Sequence, residues 1–376
     1  MAFTPSSAQI AAGIQTWIRC ESPSSSPQDI AAMAAMVEQH AKAAGLAAQL
    51  SSLGDETGPL LHISNRAAGD GRAGILVLAH LDTVHPLGTL QQNACRIEGD
   101  RLYGPGGYDM KGGIYLALTA LGQLAAPGAS ALPVDFLLVP DEETGSCHSR
   151  AAIERYARQA RYALVCEPAR ADAGKCVTTR KGTGTLRLKV QGRPAHAGVQ
   201  HELGRSAIRE MAHQVLALEA MTDYARGITV SVGTISGGTV INTVPSQCEA
   251  MVDFRVPDMQ SAEDILARMR ALKPVGPDVA LEIDAELNRP PMAKTDAVAG
   301  LLARAQAWAA EAGIVLEDAP MTGGGSDANF TAALGVPTLD GLGVDGDGAH
   351  SLREYLLVST LAPRLAFWTL LLKHLN

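Results

Sequence analysis

The sequence lacks paired cysteines and long apolar runs, and each absence excludes a class of protein. Its six cysteines are scattered without a CxxC pair, so neither a disulfide framework nor a thiolate zinc site is predicted. No stretch approaches about 18 uninterrupted apolar residues. The N-terminus has no basic region followed by an apolar core and a small-residue cleavage site. We therefore expect a soluble cytoplasmic protein.

Clusters of positive charge are also absent. Lys and Arg number 31 against 39 Asp and Glu, which gives a net charge of −8, and no basic block is longer than about a dipeptide. Such a chain repels a phosphate backbone, so nucleic acid is a poor candidate partner. At 376 residues, with 47% hydrophobic and 19% charged residues, the chain is long enough for two or more packed domains.

Apolar runs alternate with helical periodicity in the first half of the chain. The segments AGILVLAH at 73–80, VDFLLVP at 134–140 and YALVCE at 162–167 are typical of buried strands. The segment KGGIYLALTALGQLAA at 111–126 is typical of a helix packed on their sheet. This β-α-β alternation predicts a doubly wound α/β domain with a mostly parallel central sheet.

The pattern changes between about residues 175 and 287. Alternating strands such as TLRLKVQG, ITVSVGTI and QCEAMVDFRV are interleaved there with two helices, and the Pro-rich stretch NRPPMA follows. A helix and a strand near VPTLDG then return to the first pattern. We expect a catalytic domain over 1–174 and 288–376, interrupted by an inserted α+β lid or dimerisation domain over 175–287 with an antiparallel sheet.

Acidic and imidazole side chains stand where the predicted strands end. They lie in LVLAHLDTVHP, YGPGGYDMKGG, LLVPDEETGS and ALVCEPAR, and in the later loop GDGAHSLREY. In an open α/β sheet the carboxyl ends of the strands line the crevice where ligands bind, so distant residues can converge there. With one aspartate bridging them, each of two divalent metals could then have about three protein ligands and an open position for a shared water. The candidate ligands are His80, Asp109, Glu143, Glu167 and His350.

Each candidate also has a plainer interpretation when it is taken alone. His80 with Asp82 could be a surface histidine beside an aspartate, Asp109 could be a helix N-cap, and His350 could be a loop histidine. As a ligand, His80 would be oriented by a hydrogen bond between its other ring nitrogen and Asp82. A metal would also remove the cost of burying Glu167 at a strand end.

The DEE sequence at 141–143 is the sharpest local signal. A solvated acidic turn is the alternative interpretation. On an extended segment, adjacent residues face opposite ways, so Glu143 could bind a metal while Glu142 stands over the cleft as a general base.

The order of the motifs resembles that of a known enzyme family. HLDTV, GPGGYDMKGG, DEETGS, CEP, AHAG, TGGGSDAN and GAHS stand in the order and spacing found in the co-catalytic zinc amidohydrolases, which include aminoacylase, acetylornithine deacetylase, succinyl-diaminopimelate desuccinylase and glutamate carboxypeptidase. The resemblance covers nearly the whole chain and is strongest to the folate-cleaving carboxypeptidase G type. It implies a dinuclear zinc hydrolase that cleaves the amide bond of N-acyl or peptidyl amino acids with a free carboxylate. Cobalt or manganese would suit the same ligands.

The resemblance implies a role for each matching residue. His80 and Glu167 would bind one zinc, and Glu143 and His350 the other, with Asp109 bridging them and preceding a cis peptide bond. Asp82 would orient His80, and Glu142 would be the general base. His196 of GRPAHAG would reach the active site of the partner subunit in a homodimer and stabilise the oxyanion. The groups that resemble those holding the substrate's free carboxylate are Arg255, Asn242, Thr322, Gly323, Gly324 and Gly325.

The substrate stays open, and other classes remain to be weighed. Met110 stands where glutamate carboxypeptidases carry a second Asp, whereas other branches have Met. A deacylase of the acetylornithine deacetylase or desuccinylase type, or a deaminase-type hydrolase, would keep every ligand. A nicotinamide-dependent dehydrogenase is disfavoured, because no GxGxxG that follows a strand has an acid about 20 residues further on. A non-catalytic binding protein would be expected to have lost Glu142 or a ligand.

Overall fold

The chain forms two compact units in the computed structural model, which describes residues 5–126, 128–170 and 174–376. The first unit comprises Met1–Thr179, Ala293–Thr322 and Ser326–Asn376, and the second comprises Arg180–Met292 with Gly323–Gly325. The second unit thus runs from residue 180 to 292, where the sequence pattern placed an insertion from 175 to 287.

Helices and strands alternate along much of the chain. The helices are α1 (Ser7–Ile18), α2 (Pro27–Ala43), α3 (Gly112–Gln123), α4 (Arg150–Ala157), α5 (Ala207–Glu219), α6 (Met259–Arg270), α7 (Asp296–Glu311), α8 (Ala328–Ala333) and α9 (Leu361–His374). The strands are β1 (Ala47–Ser51), β2 (Leu60–Ser64), β3 (Gly74–His80), β4 (Arg96–Glu98), β5 (Arg101–Tyr103), β6 (Val134–Val139), β7 (Ala160–Val165), β8 (Gly182–Gln191), β9 (Thr229–Gly237), β10 (Gln247–Val256), β11 (Ala280–Arg289), β12 (Thr338–Leu339), β13 (Gly346–Asp347) and β14 (Tyr355–Leu357).

A six-stranded sheet organises the first unit. Its strand order is β1-β2-β6-β3-β7-β12. The pairs β6–β3, β3–β7 and β7–β12 are parallel, and β1 and β2 add an antiparallel edge. The prediction of a mostly parallel α/β sheet is confirmed.

The central strand of this sheet is buried along its whole length. All seven residues of β3 are buried, as expected for a parallel strand covered on both faces. Helix α3 packs against β3 and α9, and Trp368 of α9 is fully buried in the same core as Phe136 of β6. The apolar runs that predicted strands are therefore the interior of the first unit.

The ends of the parallel strands bring the polar segments to one edge of the sheet. Strand β3 ends at His80, which pairs in register with Val139 at the end of β6. Strand β7 ends at Val165, opposite Leu78 of β3. The DEE and CEP sequences therefore begin beside His80.

The second unit has a four-stranded antiparallel sheet with the order β11-β8-β10-β9. Along β8, Leu186, Leu188 and Val190 are buried and alternate with more exposed polar residues. The buried side chains pack with α5 and α6, so one face of the sheet is covered. An α+β arrangement was expected for this part of the chain.

A smaller sheet and two general features complete the description. Strands β13, β14, β5 and β4 form an antiparallel sheet in the first unit. All six cysteines are free thiols. Among the described residues, no helix combines the length and apolar character needed to cross a membrane.

A glycine at the start of α3 limits how the chain can vary near the strand ends. A Cβ at Gly113 would lie 2.3 Å from the backbone oxygen of Cys166 and 3.1 Å from the Cα of Gly343. We predict that Gly113→Ala lowers the free energy of unfolding by about 1–3 kcal/mol, because neither backbone atom can move aside easily. The matched control is Gly300→Ala in α7, where a Cβ meets nothing within 4 Å.

The control should raise the free energy of unfolding by about 0.5–1 kcal/mol, since alanine is the better helix former. Urea unfolding followed by circular dichroism measures both changes. Equal stability for the two variants would contradict the proposed close packing of α3.

Candidate metal centre

Two histidines and an aspartate form the centre of the polar cluster at the sheet edge. The Nε2 atom of His80 lies 3.2 Å from Oδ1 of Asp109, and Nε2 of His350 lies 3.2 Å from Oδ2 of the same carboxylate. Asp109 therefore offers one oxygen to each imidazole, which is the arrangement of a bridging ligand. The peptide bond between Asp109 and Met110 is cis, as the resemblance implied.

Two glutamates extend the cluster on either side of Asp109. Oε1 of Glu167 lies 4.0 Å from Nε2 of His80, and Oε2 of Glu143 lies 3.4 Å from Nε2 of His350. One ligand atom each from His80, Asp109 and Glu143 lie within 4.8 Å of one another, as do atoms from His80, Glu142 and Glu167. All of the predicted ligands are thus brought together.

The donor set fits two divalent cations. Ligand atoms of a tetrahedral zinc with bonds of 2.0–2.2 Å stand about 3.3–3.6 Å apart. The spacings of Asp109 to both histidines and of Glu143 to His350 lie close to this range, and the 4.0 Å between Glu167 and His80 is somewhat longer. Oε1 of Glu143 is buried and has no hydrogen-bond partner among the described residues. A buried carboxylate oxygen without a partner is costly unless a cation is bound beside it.

The electrostatics of the cluster point the same way. Burial raises the pKa of Glu143 to about 8, and nearby carboxylates contribute to that rise. Burial also raises the pKa of Glu167 well above its usual range, and Asp109 and Glu142 add to the effect. Burial would raise the pKa of Asp109 too, but hydrogen bonds from His350 and His80 outweigh it and hold that pKa well below its ordinary value. Without bound cations, the carboxylates at this edge of the sheet repel one another, and this repulsion disfavours their ionised forms.

Asp82 is buried here, but its carboxylate does something other than predicted. Nδ1 of His80 makes its 2.8 Å hydrogen bond with the backbone oxygen of Asp82, whereas the carboxylate oxygen is 3.6 Å away. The carboxylate instead accepts hydrogen bonds from the backbone N–H groups of Glu142 and Glu143, both at 3.2 Å, and from the hydroxyl of Ser24 at 2.7 Å. Asp82 therefore holds the segment that carries the two glutamates.

The backbone of that segment also differs from the prediction. Residues Glu142–Thr144 form a single 3-10 turn, and the extended geometry that was expected to point the two glutamates in opposite directions is absent from it. The turn forms because Asp82 accepts two successive N–H groups and because the N–H of Gly145 donates to the carbonyl of Glu142. Even so, Glu143 faces His350 while Glu142 groups with His80 and Glu167.

His196 and Asn242 lie on neighbouring segments of the second unit. The N–H of Ala197 donates to the carbonyl of Asn242 at 2.9 Å, and the backbones of His196 and Thr243 form an isolated antiparallel β-bridge. The side chain of His196 is exposed, and its Nδ1 accepts a hydrogen bond from the N–H of Gly198 at 3.1 Å. The structure thus brings together two of the residues that were predicted to contact substrate.

The glycine run lies among arginines. Nη1 of Arg255 is 3.4 Å from the carbonyl oxygen of Gly323, and its other nitrogens pair with Asp253. Sequence reasoning missed two further arginines, both buried. Arg180 donates to the carbonyl of Gly324 at 2.9 Å, and a Cβ on Gly325 would lie 2.9 Å from the side chain of Arg289.

Thr322 precedes the glycine run and lies in the first unit. Its hydroxyl accepts a 2.7 Å hydrogen bond from the guanidinium of Arg170, a residue that follows the CEP sequence closely. Glu354 and His85 were also missed, although both stand in segments that carry predicted ligands. Their spacing in the sequence does not predict a role for them, because Glu354 accepts hydrogen bonds mainly from backbone N–H groups.

The chain is similar to known proteins along most of its length. Residues 76–374 match the protein-family model of Peptidase family M20/M25/M40. Carboxypeptidase G2 of Pseudomonas sp. (strain RS-16) is 32% identical over 311 residues, which are 81% of this chain and 74% of the relative. Succinyl-diaminopimelate desuccinylase of Azoarcus sp. (strain BH72) is 28% identical over 287 residues, 71% of this chain and 72% of the relative.

A solved structure has the same fold. It is the M20 family metallo-carboxypeptidase Sso-CP2 of Sulfolobus solfataricus, with a TM-score of 0.74 and 17% identity, covering 97% of this chain and 98% of that one. At this level of identity the likeness concerns the fold alone.

Proposed function

This chain belongs to Peptidase family M20/M25/M40, whose members are metal-dependent hydrolases of amide bonds, and we propose that it is a dinuclear carboxypeptidase-like amidohydrolase. Its substrates are N-acyl or peptidyl amino acids with a free carboxylate. The position of Asp109 between His80 and His350 is the observation that supports this proposal most strongly. Zinc is the proposed metal, and cobalt or manganese would suit the same ligands.

The residues divide into two sets around Asp109. His80 and Glu167 would hold one zinc, and Glu143 and His350 the other, with one oxygen of Asp109 for each. A bound metal pair supplies Lewis-acid polarisation of the scissile carbonyl and lowers the pKa of a shared water. Glu142 stands beside this set on the turn that Asp82 holds, so it can take a proton from the water and pass it to the leaving amine.

A further set of residues is proposed to recognise the substrate. Arg255, Asn242, Thr322 and the run Gly323–Gly325 would hold its free carboxylate, and the buried Arg180 and Arg289 add positive charge beside the glycines. The exposed His196 would stabilise the oxyanion in the site of a second copy of the chain, which requires a homodimer.

A deacylase is the second candidate. The similarity to a desuccinylase over about the same length of chain, together with Met110 beside the bridging aspartate, supports it. Both candidates share the metals, the general base and the amide bond. They differ in the acyl group and in the amino acid released.

The two adjacent glutamates should respond differently to the same substitution. We predict that Glu142→Gln keeps its metals but loses about 10²–10⁴-fold in kcat, because the proton acceptor is gone. Glu143→Gln should weaken metal binding by at least about tenfold, since even partners outside the ligand set cost that much. Metal content of dialysed protein and steady-state kinetics measure both effects. A Glu142→Gln variant with near-normal kcat would show that another group is the base.

A panel of substrates tests the proposed specificity. It contains N-acyl and peptidyl derivatives of glutamate, aspartate and an aromatic amino acid, each with a matched C-terminal amide, and amine release is measured with metal-replete protein. We predict hydrolysis of the free acids with kcat/KM at least about 30-fold above the amides, because an unpaired buried charge costs about 2 kcal/mol or more. Equal rates for acids and amides would contradict carboxylate recognition.

A further inference from the structure

Glu354 is a fully buried carboxylate four residues beyond His350. Its Oε1 accepts hydrogen bonds from the backbone N–H groups of Tyr108 at 2.9 Å and Asp109 at 3.0 Å. Its Oε2 accepts one from the N–H of Gly106 at 2.9 Å and lies 2.6 Å from Nε2 of His85. Each oxygen therefore has two partners, and three of the four are backbone groups of the loop that carries Asp109.

The conformation of the loop that Glu354 holds depends on Gly106 and on three backbone N–H groups. Gly106 adopts a φ of 68°, in the left-handed region that favours glycine, and a Cβ there would lie 2.5 Å from the side chain of Thr83. The N–H groups of Gly106, Tyr108 and Asp109 point to one centre, the Glu354 carboxylate. A buried N–H group without an acceptor is destabilising, so removing this carboxylate would release the loop.

The segment that supplies Glu354 also supplies a predicted metal ligand. His350 lies in a turn in which the hydroxyl of Ser351 donates to the carbonyl of Gly348 at 2.7 Å and the N–H of Glu354 donates to the carbonyl of Ser351 at 3.2 Å. The backbone of His350 has a φ of 62°, which residues other than glycine rarely adopt. One short turn thus fixes the imidazole that faces Asp109 and the carboxylate that holds the backbone of Asp109.

His85 completes the arrangement from a third segment. It is buried, it stands in the same HLDTVHP segment as His80, and its imidazole donates to Glu354 if Nε2 carries the proton. Oε2 of Glu354 thereby gains a second hydrogen-bond partner, which lies outside the loop. The pair also ties the segment of the first histidine ligand to the segment of the second.

We propose that Glu354, supported by His85, is a positioning residue that holds the loop Gly106–Asp109 so that the Asp109 carboxylate stands between His80 and His350. This inference rests on the proposed two-metal function. Glu354 touches neither substrate nor metal in this assignment, and it acts through the backbone of Asp109. Loss of Glu354 therefore weakens metal binding, in addition to any effect on folding.

The test compares metal affinity across matched variants. In Glu354→Gln, one carboxylate oxygen is replaced by an amide nitrogen, which cannot accept a hydrogen bond from a backbone N–H group. The control is Asp135→Asn, which changes another carboxylate of the first unit that pairs with a histidine, His62, at 2.9 Å. Asp135 stands at the start of β6, whereas the cluster follows the end of that strand.

Zinc affinity is measured by competition of the metal-free protein with a chromophoric chelator, and thermal unfolding of each metal-free variant is recorded in parallel. We expect Glu354→Gln to bind zinc about 10–100-fold more weakly. Its kcat should fall by a larger factor than its KM changes. Asp135→Asn should keep the zinc affinity of the original protein even if its unfolding temperature falls.

A second pair of variants decides the matter if Glu354→Gln does not fold. His85→Leu removes the donor to Glu354, and His85→Gln keeps an amide donor of similar reach. The expected result is a loss of zinc affinity in His85→Leu that His85→Gln largely restores.

Two results would overturn the inference. One is unchanged zinc affinity in Glu354→Gln, or in both His85 variants, while the original protein binds two zinc ions and hydrolyses amides. The other is an equal loss of affinity in Asp135→Asn. An original protein that binds no zinc pair would instead defeat the proposed function, and with it this inference.

Discussion

The crowding of carboxylates at one sheet edge is the constraint on which the rest of the first unit depends. Asp82, Asp109, Glu143 and Glu167 are buried or nearly so around two histidines. Burial disfavours the charged form of Glu143, and repulsion from Asp109 and Glu142 adds to this effect, so the pKa of Glu143 is raised to about 8. Bound cations would relieve this repulsion. A fold that maintains it must supply rigid support for each side chain.

That support comes from segments that each serve two purposes. HLDTVHP carries the proposed ligand His80, and through Asp82 it also holds the turn of Glu142 and Glu143. The later loop carries the proposed ligand His350, and through Glu354 it holds the loop of Asp109. The parallel strands β3 and β6 bring HLDTVHP and the turn of Glu142 to the same edge, and buried carboxylates that accept hydrogen bonds from backbone N–H groups hold the turn and the loop of Asp109. The positions of the proposed ligands therefore depend on hydrogen bonds between several segments of the first unit.

Much of this was predictable from the sequence, for a physical reason. Apolar runs mark buried strands, and polar residues at their ends converge because the strands are parallel, so the proximity of His80 and Glu167 could be predicted. The turn at Glu142 and the true partners of Asp82 could not. A carboxylate that binds the backbone of a distant segment leaves no mark on that segment's side chains. Glu354 escaped prediction for the same reason.

The location of bound metal tests the central claim most directly. Crystals of the zinc-loaded protein can be measured at the zinc absorption edge, where anomalous scattering locates each ion without reference to the protein. The account predicts two peaks per chain, one beside His80 and Glu167 and the other beside His350 and Glu143, with Asp109 contacting both. A single peak, or peaks away from Asp109, would contradict it.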